Sequence, residues 1–294
     1  MNKRIWTYLL SILFLIAALS WLAVLSRPTQ NLRIIACDVG QGDAILITKH
    51  ETQILIDGGP NGSVISCLSR HMPFWDRRIE MVVLSHPDAD HASGLVDVFR
   101  AYSVSHFLEN GDEKDTSVYK KLMDLVENSG AVQVLAKRND RFQYGGVYFD
   151  VLHPQANVLG RGDSRIAHSK DSANNNSIAM KMTFGEFDAL LTGDIEDAIS
   201  DLVADTSVVD NLEYLKVPHH GSKNGLSEKL LNEVNPELAV ISAGRNNRFG
   251  HPHQEVLEML GRGVSRNAQI KILRTDEIGD VVIETDGKSW RQIQ

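Results

Sequence analysis

The chemistry of this chain gathers in Leu84-Ser85-His86-Pro87-Asp88-Ala89-Asp90-His91, where four candidate metal ligands fall within six residues just after the apolar run 81–84. His and Asp supply nitrogen and oxygen donors suited to zinc, manganese or iron. On a tight loop leaving a buried strand, His86 and Asp88 can serve one ion while Asp90 and His91 turn to another. A plainer alternative is a polar strand-to-helix loop in which Asp90 caps the following helix. Four ligand types separated only by Pro87 and Ala89 favour metal over that alternative.

Further polar residues follow apolar runs in the same way. Asp57 ends Leu55-Ile56-Asp57-Gly58-Gly59, where the glycines imply a sharp turn and a close backbone approach. Asp194 ends Leu191-Thr192-Gly193-Asp194, placed either to reach into a site or to cap a helix over 195–203. Lys216-Val217-Pro218-His219-His220-Gly221-Ser222 delivers two adjacent imidazoles, and Gly250-His251-Pro252 a third. His253 fits the start of a helix over 254–260.

Together with Cys37-Asp38-Val39-Gly40-Gln41-Gly42-Asp43-Ala44, these motifs resemble the metallo-β-lactamase superfamily, whose His-x-His-x-Asp-His signature is matched with Asp88 in the place of the second His. That variant resembles the hydrolase domain of ComEC-type DNA-uptake channels. The resemblance runs from about Leu32 to the C-terminus. It implies two divalent ions, zinc or manganese, with His86 and Asp88 on the first, Asp90, His91 and His251 on the second, and Asp194 spanning both. It implies that Asp57 hydrogen-bonds the ligand loop. His219 or His220, with His220 preferred, meets the phosphate or protonates the leaving oxygen. The oxygen donor added at Asp88 shifts preference from zinc towards manganese. The further His that the superfamily commonly places before the next strand is Asn or Ser here, at Asn174-Asn175-Asn176-Ser177; His168 is the only His nearby. One seat is therefore expected to be short of a protein ligand.

The elements that must position these residues can be read in order. Strands are expected over 32–39, 44–48 and 53–56, a helix over 62–72, the strand 81–84, helices over 94–102 and 118–128, and strands over 132–135 and 147–152, completing a first half. A polar, mobile loop is expected over 154–176. The second half reads as strands over 178–184 and 187–191, a helix over 195–203, a strand over 212–217, a helix over 224–234 and a strand over 238–241. Strands over 270–273 and 280–283 are expected to close the second sheet. The resemblance implies an α/β four-layer αββα sandwich; the strand count alone also permits an ordinary doubly wound sheet.

The N-terminus stands apart. Lys3 and Arg4 precede an uncharged apolar run to Leu25, about the ~20 residues a helix needs to cross a bilayer. A cleaved signal peptide is the rival, with Ala18-Leu19-Ser20 a passable site; a retained anchor is favoured. The expected organisation is an anchor or signal segment over 1–27, a polar linker over 28–31 and a hydrolase domain over 32–294. The basic end stays cytoplasmic and the domain lies outside the cytoplasmic membrane, or is secreted if cleavage occurs.

With 43% hydrophobic residues and a net charge of −8, the chain reads as globular, without the broad basic face of a duplex-binding protein. Ions held ~3.5–4 Å apart that acidify a bridging water suit hydrolysis of esters and phosphodiesters. Lys216, Lys223, Arg245 and Arg248 can supply counter-charge, or can be ordinary solvated surface. The expected function is a membrane-anchored phosphodiesterase or nuclease acting on extracytoplasmic DNA. The alternatives are a hydrolase of another phosphoester, such as a cell-wall choline-phosphate ester, and a noncatalytic metal-binding module. A single span in place of a many-helix channel leaves no route for transport. Cys37 in a strand and Cys67 in a helix are expected to be buried free thiols.

Overall fold

Alternating faces along each strand decide the architecture. The computed structural model describes residues 3–25, 30–154, 173–206, 208–263 and 269–293. A helix α1 (Lys3–Leu25) leads into β1 (Leu32–Ala36), β2 (Ile45–Lys49) and β3 (Thr52–Ile56). Then come α2 (Ser63–His71), β4 (Arg78–Val83), α3 (Ala89–Ala92), α4 (Leu95–Ala101), β5 (Ser103–Glu109), α5 (Ser117–Ser129) and β6 (Val132–Leu135). The chain continues through β7 (Arg141–Tyr144), β8 (Val147–His153), β9 (Ala179–Phe184), β10 (Phe187–Leu191), α6 (Asp197–Ala204) and β11 (Tyr214–Lys216). It closes with α7 (Glu228–Val234), β12 (Leu238–Ile241), α8 (Gln254–Arg262), β13 (Lys271–Arg274), α9 (Thr275–Ile278), β14 (Val281–Thr285) and β15 (Trp290–Gln292).

The strands form an eight-stranded sheet, β15-β14-β1-β2-β3-β4-β5-β6, and a seven-stranded sheet, β13-β12-β11-β10-β9-β8-β7. In β3, Ile54 and Ile56 face the second sheet while Leu55 faces the helices; in β10, Ala189 and Leu191 face the first sheet and Leu190 the helices. The first of the three apolar clusters fills the space between the sheets. The second lies under α2, α4 and α5, and the third under α6, α7 and α8. Both faces of both sheets are thus covered, which is the expected αββα sandwich.

Two expectations about connectivity are corrected. The strand near 280–283 does not close the second sheet: β14 returns to the first and pairs antiparallel with β1, Ile34 opposite Ile283. The buried Glu284 carboxylate fastens that return by accepting from Arg33 Nε at 2.9 Å and from Arg291. The strand near 147–152 leaves the first half: as β8 it pairs with β9 in the second sheet. A third correction concerns the cysteines. Cys37 and Cys67 form a disulfide, with Cα atoms 5.9 Å apart. A strand and the helix packed on its face share one apolar cluster here, so assigning them to different element types does not hold them apart.

β3 to β6 run parallel, as do β10 to β13, so the loops leaving their C-terminal ends gather along one edge. α1 has an 18-residue window, Arg4–Trp21, of mean hydropathy 1.6 with no part buried, long and apolar enough to cross a membrane; a signal sequence has the same character.

Candidate metal centre

The loop after β4 and the short helix α3 hold His86 and His91 fully buried, their ring centroids 4.2 Å apart. Gly42 sets the approach of the neighbouring loop: it has φ +144°, and a Cβ there would stand 2.2 Å from the Asp90 carbonyl oxygen. The next residue, Asp43, donates its N–H to that carbonyl at 3.3 Å.

Asp90, His91, Asp194 and His220 each offer a ligand atom, all within 4.8 Å of one another. Asp194 Oδ2 lies 3.2 Å from His91 Nε2 and 3.2 Å from His220 Nε2; Asp90 Oδ2 lies 3.6 Å from His220 Nε2. Yet Nε2 of His86, His91 and His220 and Oδ1 of Asp194 are buried without a hydrogen-bond partner among the described residues. Buried polar atoms that converge without bonding one another cost stability unless a further group satisfies them, and a cation does so for imidazole nitrogen and carboxylate oxygen together. The donor set fits a divalent ion.

The outer nitrogens fix the tautomers. His91 Nδ1 donates to Asp57 Oδ2 at 2.8 Å, and His220 Nδ1 donates to the Ser242 carbonyl at 3.0 Å. Ser85 Oγ donates to Asp57 Oδ2 at 2.7 Å, which leaves its lone pairs to accept from His86 Nδ1 at 3.1 Å. All three imidazoles therefore turn Nε2 inward. Asp57, itself at φ +60°, also accepts from the Ser85 amide at 2.8 Å.

Charge follows this arrangement. Burial alone would strip the proton from His91 and His220. Asp194 with Asp57, and Asp194 with Asp43, overcome it and hold both well above the ordinary value. Burial would raise Asp194, but the same two imidazoles hold it well below the usual carboxylate range. Asp90, pushed up by burial and down by His220 and His91, ends at about 2. His86 differs: burial and His91 lower it to about 4.

The other expected residues take distinct places. Asp88 pairs with Lys114 at 2.5 Å and lines the cavity rather than joining the cluster. His219 and His220 follow Pro218 with φ of 49° and 56°, a left-handed pair that costs strain and turns both rings to the cavity. Gly221 completes the turn, where a Cβ would come within 2.6 Å of Pro252. His220 joins the cluster; His219 is half-buried, with Nε2 4.0 Å from Asp194. His251 stands at the cavity wall, its Nδ1 3.4 Å from Gln41 and its ring 6.3 Å from that of His220. Lys216 is fully buried in an ion pair with Asp43 at 2.6 Å and offers no charge to a substrate. Lys223, Arg245 and Arg248 are exposed, and only Arg248 of the three lines the cavity. Asn174 lines the cavity and Ser177 Oγ accepts from the Asp194 amide at 3.2 Å; His168 lies outside the described residues.

Sequence reasoning assigned no role to Asp43 or Lys114. For Asp43 a signal exists: a lysine at the end of the apolar run 212–217 demands a buried partner. For Lys114, in the polar stretch 111–116, none does.

The cavity above the cluster, about 750 Å³, is bounded by Gln41, Asp88, Asp90, Lys114, His219 and the segment 247–251. Phe249 is 49% exposed on that rim, with the Arg248 guanidinium over its ring at 4.9 Å.

The crystal structure of the metallo-beta-lactamase fold protein YhfI from Bacillus subtilis is similar over 87% of this chain and 100% of that one, with a TM-score of 0.56 at 13% identity. A putative metal-dependent hydrolase from Parabacteroides distasonis is similar over 83% and 94%, with a TM-score of 0.51 at 12% identity. In sequence, the chain is 33% identical to Recombination protein 2 of Haemophilus influenzae over 244 residues, 81% of this chain and 27% of that protein. It is 29% identical to ComE operon protein 3 of Bacillus subtilis, over 83% of this chain and 32% of that one, and 28% identical to Competence protein ComA of Neisseria gonorrhoeae, over 86% and 32%. The chain spans a third or less of the length of these relatives. The Metallo-beta-lactamase superfamily model matches residues 37–245, which include the ligand loop, Asp57, Asp194 and both imidazoles of the His219-His220 pair. The chain belongs to the metallo-β-lactamase superfamily.

Proposed function

We propose that this chain is a membrane-anchored, metal-dependent phosphodiesterase that cleaves DNA outside the cytoplasmic membrane. The observation that carries the reading is the convergence of Asp90, His91, Asp194 and His220 at the base of an open cavity, with ligand atoms of His91, Asp194 and His220 buried and unpaired among the described residues. These four would hold one divalent cation, zinc or manganese; His86 and Asp88, sharing Asp194, would hold a second more weakly. Such cations supply Lewis acidity, polarising a phosphoryl oxygen and acidifying water.

The chain's own groups do the rest. Asp57 holds His91 and Ser85 in place, and the Asp43–Lys216 pair backs His220. With His220 drawn into the cluster, His219 is the imidazole left to face substrate, and burial keeps its pKa below the ordinary value. It is neutral at neutral pH, and so can take the proton that the attacking water loses and return it to the leaving oxygen.

Relatives named for competence and recombination support DNA as the substrate. The rim supports it further: Arg248 beside an exposed aromatic ring attracts phosphate and repels a quaternary ammonium, favouring a nucleic acid over a choline ester. A net charge of −8 favours single strands over long duplex tracts. The disulfide supports an oxidising, extracytoplasmic setting.

The test is hydrolysis of single-stranded DNA, duplex DNA and bis-p-nitrophenyl phosphate by the full chain with manganese or zinc, with Asp90→Ala as control. Metal-dependent cleavage of single-stranded DNA that disappears in the variant is expected. Cleavage of the small diester alone would transfer the reading to another phosphoester, and no hydrolysis by a folded, metal-loaded chain would leave a binding module.

A further inference from the structure

We propose that the Phe74–Trp75 loop is a membrane-docking surface, on which the hydrolase body stands with its metal centre turned away from the bilayer. The proposal rests on α1 being a retained anchor and extends it to the body itself.

Three observations converge on this loop. The first is exposure. Phe74 is 76% and Trp75 48% exposed, their rings edge to face with centroids 4.8 Å apart. Single exposed apolar residues are ordinary on a protein surface, but a Phe–Trp pair at a loop tip forms a wedge of the kind that settles at a membrane interface. The second is charge. Arg70, Arg77 and Arg78 flank the pair; Arg70 is ion-paired with Asp280 and Arg78 with Glu80, yet their side chains remain 50% and 65% exposed, so both can also meet lipid phosphates.

The third is topology, which decides where the wedge points. β1, β3 and β4 run in the same direction, and pairing sets Ile34 opposite Ile47, Ile47 opposite Ile54 and Ile54 opposite Met81, so Ile34 and Met81 share a row. The chain enters the sheet at Leu32, two residues before that row; β4 begins at Arg78, three before it, and Trp75 precedes β4. The entry point from α1 and the aromatic pair therefore lie at the same end of the sheet. The ligand loop that carries His86 leaves the other end: β4 runs five residues on from Arg78 to Val83, about 16 Å along the strand, before that loop begins. Between Leu25 and Leu32 the chain can span at most about 25 Å. If α1 crosses the membrane, this end of the body cannot leave the bilayer by more than that, and the tether holds the wedge at high effective concentration over the lipid. The cavity then opens away from the membrane, accessible to a long polymer arriving from outside.

The test uses the full chain in nanodiscs of phosphatidylethanolamine and phosphatidylglycerol, with Trp6, Trp21 and Trp290 replaced by Phe so that Trp75 alone emits. Lipids brominated on the acyl chain are expected to quench most of that emission, whereas a chain carrying Trp75→Phe and Phe249→Trp on the same background, reporting from the cavity rim, stays unquenched. The difference between the native chain and its Trp75→Phe variant gives the same reading with the other tryptophans in place, should the triple replacement impair folding. An unquenched Trp75, or equal quenching at both positions, would overturn the proposal while leaving the anchor reading intact. Intact mass of the protein from the membrane fraction separates the two failures: loss of the N-terminal segment would remove the anchor reading and the proposal with it.

Discussion

The two halves of the ligand loop have unequal support. Asp90 and His91 meet Asp194 and His220 from the second sheet, and each imidazole has its outer nitrogen pinned, one by Asp57 and the other by the Ser242 carbonyl. His86 and Asp88 have no such company: His86 is held through Ser85, and Asp88 is taken by Lys114. The distinction is one of enclosure. Where strands of both sheets deliver ligands, a complete cluster forms; beside the stretch 174–177, which carries no histidine, Asp88 is ion-paired with Lys114.

Breaking the enclosed cluster should have the largest effect. Asp194→Ala removes the carboxylate between His91 and His220 and is expected to reduce metal-dependent hydrolysis by more than the 10–100-fold typical of losing a supporting group. It should also lower bound metal measured by mass spectrometry; retention of either would mean that the cluster is not the seat of the reaction. Asp57→Asn tests the layer behind it. The variant keeps the shape but loses the charged acceptor for His91 Nδ1, and metal affinity measured by chelator competition should fall about 10–100-fold. An unchanged affinity would show that packing alone orients the ring.

The unequal halves also differ in how far they could be read in advance. His86, Asp88, Asp90 and His91 sit in one short run that local pattern alone nominates, whereas Asp57 and Asp194 are legible only with the other ordered motifs beside them, since an isolated Asp194 reads as a helix cap. His220 was nominated for proton transfer, because its entry into the cluster depends on two successive left-handed residues that no local rule forces. Asp43 acquires its part through Lys216 and His220, both of which arrive from the other sheet. The return of β14 to β1 and the disulfide were illegible for the same reason: hydrophobic period marks an element and its inner face, but does not choose its partner. The fold's layers are set by that period; its cross-connections are set by packing between distant segments.

Acid should separate the halves. Protons held on His91 and His220, well above the ordinary imidazole value, must leave before a cation can bind. Apparent affinity of the enclosed cluster should therefore rise with pH through and beyond neutrality, by up to about tenfold per pH unit for each proton displaced. His86, lowered to about 4, is neutral throughout and adds no such dependence above about pH 5. Calorimetric titration with manganese in buffers of different ionisation enthalpy measures the protons released; none released on filling the tighter site would contradict this assignment.

The smallest effect should come from Lys114, and it tests the comparison most directly. If its ammonium takes the place of a cation at Asp88, replacing it with Met frees the carboxylate without creating a new charge. The pair is partly exposed, and such pairs are worth about 1 kcal/mol or less, so affinity at the weaker seat should rise by no more than about fivefold. Bound manganese counted by electron paramagnetic resonance should then move from about 1.5 to at most about 1.8 per chain at a concentration that half-fills the weaker seat of the native chain. A fall in affinity would mean that Lys114 organises Asp88 rather than competing for it. Unchanged metal binding with a raised KM for DNA would instead place the ammonium against the substrate phosphate, where the cavity wall already holds it within reach of an incoming strand.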